Sequence, residues 1–266
     1  MPKPSGLDDW FDRRRDRDAE MSPNAGVMAR QRLTVWRDHW HCQLTGERLL
    51  IAVSSGRQKG KWHSPPDELF RNKGEKMRRV IIAITGASGV IYGIRALELL
   101  RAVDDVETHA IITPSAFRTA LAEVDYEPDQ IKALADHLYN HKDIGAAISS
   151  GSFHTNGMLV APCSIKTLSA IANCFNEELT ARAADVCLKE RRRVVLMLRE
   201  TPFHAGHIRL MDQATQSGAI IMPPVPGFYA RPQTLDDVVN QSVGRALDLL
   251  DIQLPTVKRW TGSGVD

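Results

Sequence analysis

The sequence predicts an α/β domain, a doubly wound parallel sheet in a Rossmann-like or flavodoxin-like three-layer arrangement. Three observations carry that expectation. Apolar runs of strand length, Arg79-Val-Ile-Ile-Ala-Ile84, Gly157-Met-Leu-Val-Ala-Pro162 and Arg193-Val-Val-Leu-Met-Leu198, alternate with helical patterns. These runs lack the polar alternation of a half-solvated strand, which suits a sheet covered on both faces. The first run breaks into Thr85-Gly-Ala-Ser-Gly89 ahead of a helix, and such a small-residue turn leaves amides free to cradle a phosphate.

Taken in order, the first strand leads to a helix over 90–103, a second strand over 108–113 and a short helix after Pro114. A polar turn region, Glu123-Val-Asp-Tyr-Glu-Pro128, precedes a helix over 129–138 and a loop from Asn140. The third strand is closed by Pro162, and Ser164 and Thr167 stand where helix caps and phosphate or flavin contacts are made. A helix over 178–190, the strand Arg193–Leu198, a helix over Ala205–Ser217 and a short strand over 219–222 follow. The proline-rich Met222-Pro-Pro-Val-Pro-Gly-Phe-Tyr229 then stiffens the way to a last helix, Thr234–Leu250, and a tail after Pro255 without period.

The turn fits neither common nucleotide fingerprint. It has no Lys-Ser/Thr pair for a triphosphate loop, and the second strand ends in Thr113-Pro-Ser115 where a dinucleotide site expects an acidic residue. A mononucleotide such as FMN fits better than NAD; the alternative is a tight turn whose glycines serve packing only.

Composition narrows the class. A hydrophobic share of 43% in 266 residues suits a globular core, and no apolar run reaches membrane-spanning length, so a cytoplasmic protein is expected. Residues 1–76 hold 15 Lys/Arg against 11 Asp/Glu, while the rest holds 19 against 21, so the basic balance belongs to the leader and no nucleic-acid surface is expected. Four scattered cysteines, Cys42, Cys163, Cys174 and Cys187, indicate neither a disulfide scaffold nor a zinc site.

Three segments are expected: a mostly disordered leader over 1–76, a flavoprotein domain over 77–254 and a tail over 255–266. The leader has a dense mixed-charge run, Phe11–Glu20, and four tryptophans without apolar periodicity around them; a helix near Val27–Trp40 is its one ordered candidate. His39, His41 and Cys42 lack a fourth metal partner apart from distant His63, so no metal is expected there. Met77 stands directly before the first strand, and two readings stay open: residues 1–76 are translated with the domain, or they are an upstream extension of a gene whose native start is Met77.

In a sheet of this kind the ligand lies outside the carboxyl ends of the strands. Those ends collect Gly86–Gly89, Thr113–Ser115, Pro162–Thr167 and Arg199–Pro202. Arg199, at a strand end, reads as an anion contact or as a surface ion pair. Arg182 and Lys189, seven apart on one helix face, read as a ligand pair or as part of a solvated basic face with Arg191–Arg193. Glu200 is an acid or base candidate. Cys163 reads as a buried thiol and not as a nucleophile.

Together with Arg182-Ala-Ala-Asp-Val-Cys-Leu-Lys-Glu-Arg-Arg192, Arg199-Glu-Thr-Pro202, Met222–Pro232 and Val243-Gly-Arg-Ala-Leu-Asp248, these motifs resemble the flavin prenyltransferase family of the UbiX type, over about Arg79–Ile252. The resemblance implies a transferase that joins a dimethylallyl group, from dimethylallyl monophosphate, to N5 and C6 of reduced FMN without a metal. The prenylated FMN would serve a UbiD-type decarboxylase. Gly86, Ala87, Ser88, Thr113, Ser164, Ile165, Lys166, Thr167 and Arg199 would hold FMN. Lys189, Tyr229 and Arg245 would hold the donor phosphate, with Arg182 and Ser150 lining it. Ser88, Glu200, Lys189 and Glu123 are the catalytic candidates, and Glu123 would come from a neighbouring subunit of a homododecamer built from trimers. Gly227 stands where relatives usually have Ala, and the leader is foreign to the family. An FMN-dependent decarboxylase and a non-catalytic FMN-binding subunit of a decarboxylase complex are the competing functions.

Overall fold

A computed structural model describes residues 40–45, 48–53 and 77–262. Its contacts divide the chain into two units, Met1–Gly74 and Glu75–Asp266. In the first, β1 (Trp40–Thr45) and β2 (Arg48–Val53) pair antiparallel, with Trp40 opposite Val53 and Thr45 opposite Arg48. This hairpin has no counterpart among the sequence-based expectations. Residues 27–39, His63 and the side chains of His41 and Cys42 lie outside what is described.

The second unit begins with β3 (Arg78–Ile84), the turn, and α1 (Ile91–Leu100). Next come β4 (Val106–Ile112), α2 (Pro114–Glu123), α3 (Pro128–Lys132) and β5 (His137–Tyr139). A 3-10 turn at Ala147–Ser149 leads to β6 (Gly157–Cys163), α4 (Ile165–Ala172) and α5 (Leu179–Lys189). The chain closes with β7 (Arg193–Leu198), α6 (Ala205–Gln216), β8 (Ile220–Ile221), a 3-10 turn at Phe228–Ala230 and α7 (Leu235–Asp248).

All six strands from β3 onward are parallel, in the order β5-β4-β3-β6-β7-β8. The chain winds outward from β3 in one direction, returns, and winds outward from β6 in the other, so the order reverses between β3 and β6. Side chains alternate between the two faces of each strand. Val80, Ile82 and Ile84 of β3 pack with α1, α2 and α7, while Ile81 and Ala83 pack with α4, α5 and α6. Both faces are therefore dry, as the unbroken apolar runs require. Gly93 lets α1 lie against the sheet: a Cβ there would meet the Ile84 side chain at 2.7 Å and overlap the Ala161 carbonyl oxygen.

One expected element is wrong in type. The helix expected over 129–138 stops at Lys132, and His137–Tyr139 becomes an edge strand instead. The cause is non-local. The Asp136 carboxylate accepts from the Thr108 amide at 2.8 Å and its hydroxyl at 2.7 Å, and the Asp136 amide donates back to that hydroxyl at 2.9 Å. This exchange pins the chain beside β4, where a helix cannot continue.

Candidate active site

The carboxyl rim is built by two turns tied together through one buried hydroxyl. Thr85 Oγ1 donates to the Pro162 carbonyl at 2.6 Å and accepts from the Ser164 amide at 2.9 Å, joining the β3–α1 turn to the β6–α4 turn. Ser164 then caps α4 by accepting from the Thr167 amide at 3.2 Å, with the Thr167 hydroxyl 3.0 Å away. Thr113 caps α2 in the same way at 3.2 Å, and its hydroxyl lies 3.0 Å from that of Ser115. Gly86 is backed by Ser115, whose side chain a Cβ at position 86 would overlap.

A pocket of about 210 Å³ opens over these turns. Its wall includes the expected Gly86, Thr113, Ser164, Lys166 and Thr167. It also includes Thr85 and Ser115, from the turn and the strand end that the sequence marked, and Arg118, His141 and Glu178, which no local motif marked. The amides of Gly86, Ala87 and Ser88 donate to no described residue. Arg199 follows β7 directly, and its exposed guanidinium forms no hydrogen bond or ion pair with any described residue. It still acts on Tyr92, whose hydroxyl is pushed up by burial against the opposing pull of that cation. Unpaired amides and an unpaired cation at a strand-order reversal fit a mononucleotide phosphate. Glu200, half-buried beside Arg199, turns its carboxylate back onto the Thr201 amide at 2.9 Å. Ile165 opens α4 behind Ser164.

Glu123 approaches from its own chain. Its carboxylate accepts from the amides of Gly89 at 2.7 Å and Val90 at 3.3 Å, so the first turn of α1 already has an anion of this subunit on it. Cys163 is fully buried, and burial pushes its thiol up to about 12, which removes it as a nucleophile.

The donor-phosphate candidates lie elsewhere. Arg193, which opens β7, donates to the Leu249 carbonyl, and Arg78, which opens β3, donates to the Asp251 carbonyl. The end of α7 therefore sits at the amino edge of the sheet, and Arg245 lies one turn before it. Lys189 ends α5 four residues ahead of β7, at the same edge but on the opposite face. Glu178, at the pocket, is eleven residues before Lys189, about 16 Å along a helix.

Each of these cations is paired: Lys189 with Glu190, Arg245 with Asp248, and Arg182 with Asp185 at 3.2 Å. Lys189 holds the Glu190 carboxyl below its ordinary range. Arg182 Nε also donates to the Ser149 carbonyl at 3.3 Å, next to Ser150, whose hydroxyl lies 2.9 Å from that of Ser152.

Tyr229 is held by residues outside every motif. Its hydroxyl accepts from Gln241 Nε2 at 3.2 Å and donates to the Lys258 carbonyl at 3.4 Å. Trp260 meets its ring edge-on at 6.1 Å. A Cβ at Gly227 would stand 3.0 Å from that same ring, closer than ordinary contact, so the glycine lets the Tyr229 ring lie against the loop.

Fold and rim together define a flavoprotein, and residues 70–247 match the flavoprotein family. The chain is 55% identical over 185 residues to the flavin prenyltransferase UbiX of Thauera aromatica, covering 70% of this chain and 95% of that protein. Among solved structures it is similar to AnUbiX in complex with FMN and dimethylallyl pyrophosphate, at 48% identity and a TM-score of 0.69, over 70% of this chain and 99% of that one. A dodecameric FMN-dependent UbiX-like decarboxylase from Escherichia coli O157:H7 is 42% identical, with a TM-score of 0.67, over 69% and 100%. The chain belongs to the UbiX family of flavin prenyltransferases, enzymes that modify FMN with a prenyl donor.

Proposed function

We propose that residues 77–254 join a dimethylallyl group from dimethylallyl monophosphate to N5 and C6 of reduced FMN in active sites shared between subunits. The product would supply a UbiD-type decarboxylase, and the enzyme would work in the cytoplasm. The observation that carries the shared site is the separation of the two residue sets. Flavin candidates stand at the carboxyl rim, whereas Lys189 and Arg245 stand at the amino edge, one strand length and about 20 Å away. A phosphate whose carbon reacts at the flavin cannot reach both sets in one chain. Bringing the edge of one subunit onto the rim of another closes the gap, and the dodecameric relative supports such contacts.

The rim residues bind and orient. The Gly86–Ser88 amides and Arg199 hold FMN, with Thr113, Ser164, Lys166 and Thr167 walling its pocket and Ile165 backing Ser164. FMN in its reduced form supplies the electron-rich ring that accepts the allylic carbon. Lys189, Arg245 and Tyr229, lined by Arg182 and Ser150, stabilise the negative charge that grows on the departing phosphate. Fixed cations at this position supply what a metal supplies to diphosphate substrates. Glu200, beside Arg199, takes up the proton lost from C6, and Ser88 and Glu123 border the reacting face. Glu123 serves its own chain's turn in this arrangement.

Subunit hybrids test the proposal. Arg199→Ala and Arg245→Ala should each prenylate slowly as homo-oligomers, yet mixed assemblies of the two should regain part of the unmodified rate of FMN prenylation, read by mass spectrometry of the flavin under anaerobic conditions. Hybrids as slow as their parents would place the whole site in one chain.

A further inference from the structure

We propose that Glu107, His109 and His137 form a binding site for a divalent transition metal of the zinc class, clipping edge strand β5 to β4 towards the amino edge of the sheet, away from the flavin candidates at the carboxyl rim. The three side chains present one ligand atom each, and these atoms all lie within 4.8 Å of one another. A carboxylate with two imidazoles is a borderline-soft donor set that suits zinc, cobalt or nickel, and three protein ligands leave one position open.

His109 supplies the independent observation. Its side chain is 2% exposed, and its Nε2 makes no hydrogen bond. That nitrogen points towards Glu107 Oε2 at 3.7 Å, beyond hydrogen-bond reach. The other ring nitrogen, Nδ1, lies 2.9 Å from the Tyr139 hydroxyl. With the proton on Nδ1, donated to Tyr139, a bare Nε2 lone pair faces a carboxylate oxygen. With the proton on Nε2, its partner is too far away. Either tautomer leaves the buried nitrogen unsatisfied, and a cation between it and Glu107 resolves the conflict.

The surroundings are those of a ligand set with its outer shell in place. Tyr139 orients His109, and Arg79 donates to Glu107 Oε2 at 2.8 Å, leaving Oε1 to face His137 Nε2 at 2.7 Å. The His109 and His137 rings stack at 4.8 Å, and the His137 side chain is 49% exposed, so it can swing and a metal can enter from solvent. Ligands about 2.1 Å from a tetrahedral ion stand about 3.4 Å apart, which the present spacings bracket.

The full-length protein, stripped with chelator and titrated with Co²⁺, should bind one ion per subunit with the visible absorption of a four-coordinate nitrogen and oxygen site. Outer-shell partners alone are worth about 10- to 100-fold in affinity, so His137→Ala should weaken Co²⁺ by at least about 100-fold and Tyr139→Phe by about tenfold. FMN binding, measured on the same samples, should be unchanged in both variants and reports that they are folded. Replacing His39, His41 and Cys42 together by Ala should leave Co²⁺ binding intact. Absence of Co²⁺ binding, binding undiminished in His137→Ala, or binding lost with the leader triple variant would each overturn the proposal.

Discussion

The two ends of one sheet treat charge in opposite ways. At the carboxyl rim, Arg199 and the amides of Gly86–Ser88 have no partner among the described residues. At the amino edge the cations are paired: Arg78 with Asp105, Arg79 with Glu107, Lys189 with Glu190, Arg193 with Asp251 and Arg245 with Asp248. Unpaired donors at the mouth of a pocket are preorganised for an anion and need little rearrangement to bind it. Paired cations on a surface are stabilised by their carboxylates and must exchange them for a ligand phosphate. The rim donors are therefore free to take an anion as they stand, whereas the edge cations would first have to release their carboxylates.

The largest expected effect separates the two ends directly. A charge-assisted phosphate contact is worth about 1.5–3 kcal/mol. Arg245→Ala should then slow prenylation about 10- to 150-fold while leaving FMN affinity nearly unchanged. Arg199→Ala should lower FMN affinity by a similar factor. Flavin titration and single-turnover alkylation, run on both variants, check the split; loss of FMN affinity in Arg245→Ala would merge the two ends. A somewhat smaller effect tests how the rim is held. Thr85→Val keeps the shape but leaves the Pro162 carbonyl and the Ser164 amide unpaired, at about 1–3 kcal/mol. The urea midpoint should fall and FMN binding weaken with it. An unchanged midpoint would show that the two turns do not depend on this hydroxyl.

The smallest effect concerns the edge. Hydrogen bonds from Arg78 and Arg79 hold the Asp105 and Glu107 carboxyls below their ordinary values of 3.8 and 4.5. Groups with depressed values contribute stability that is complete above the ordinary value and lost as pH falls through the depressed one. Stability should therefore decline below about pH 4.5, by only about 0.2–1 kcal/mol per exposed pair. Urea midpoints measured across that range should show a shallower decline in Glu107→Gln than in the unmodified protein.

Local chemistry was enough to read the strands β3, β6 and β7, the small-residue turn after β3, the cap at Ser164 and the helical spacing of Arg182 and Lys189. Apolar runs, small residues before a helix and hydroxyls at helix starts act within a few residues, so the chain states them outright. Tertiary structure decided what depends on distant partners. Asp136 finds Thr108 and turns an expected helix into β5, and Glu123 folds back onto its own α1. Thr85 ties together two turns nearly eighty residues apart. Lys189 and Arg245, from two motifs that the resemblance joins in one set, end on opposite faces at the amino edge, far from the carboxyl rim. His109 meets His137 and Tyr139 only because a parallel sheet lays β5 beside β4. The reason is common to all five: burial and pairing energies depend on which segments meet, and a one-dimensional pattern records spacing along the chain but not across it.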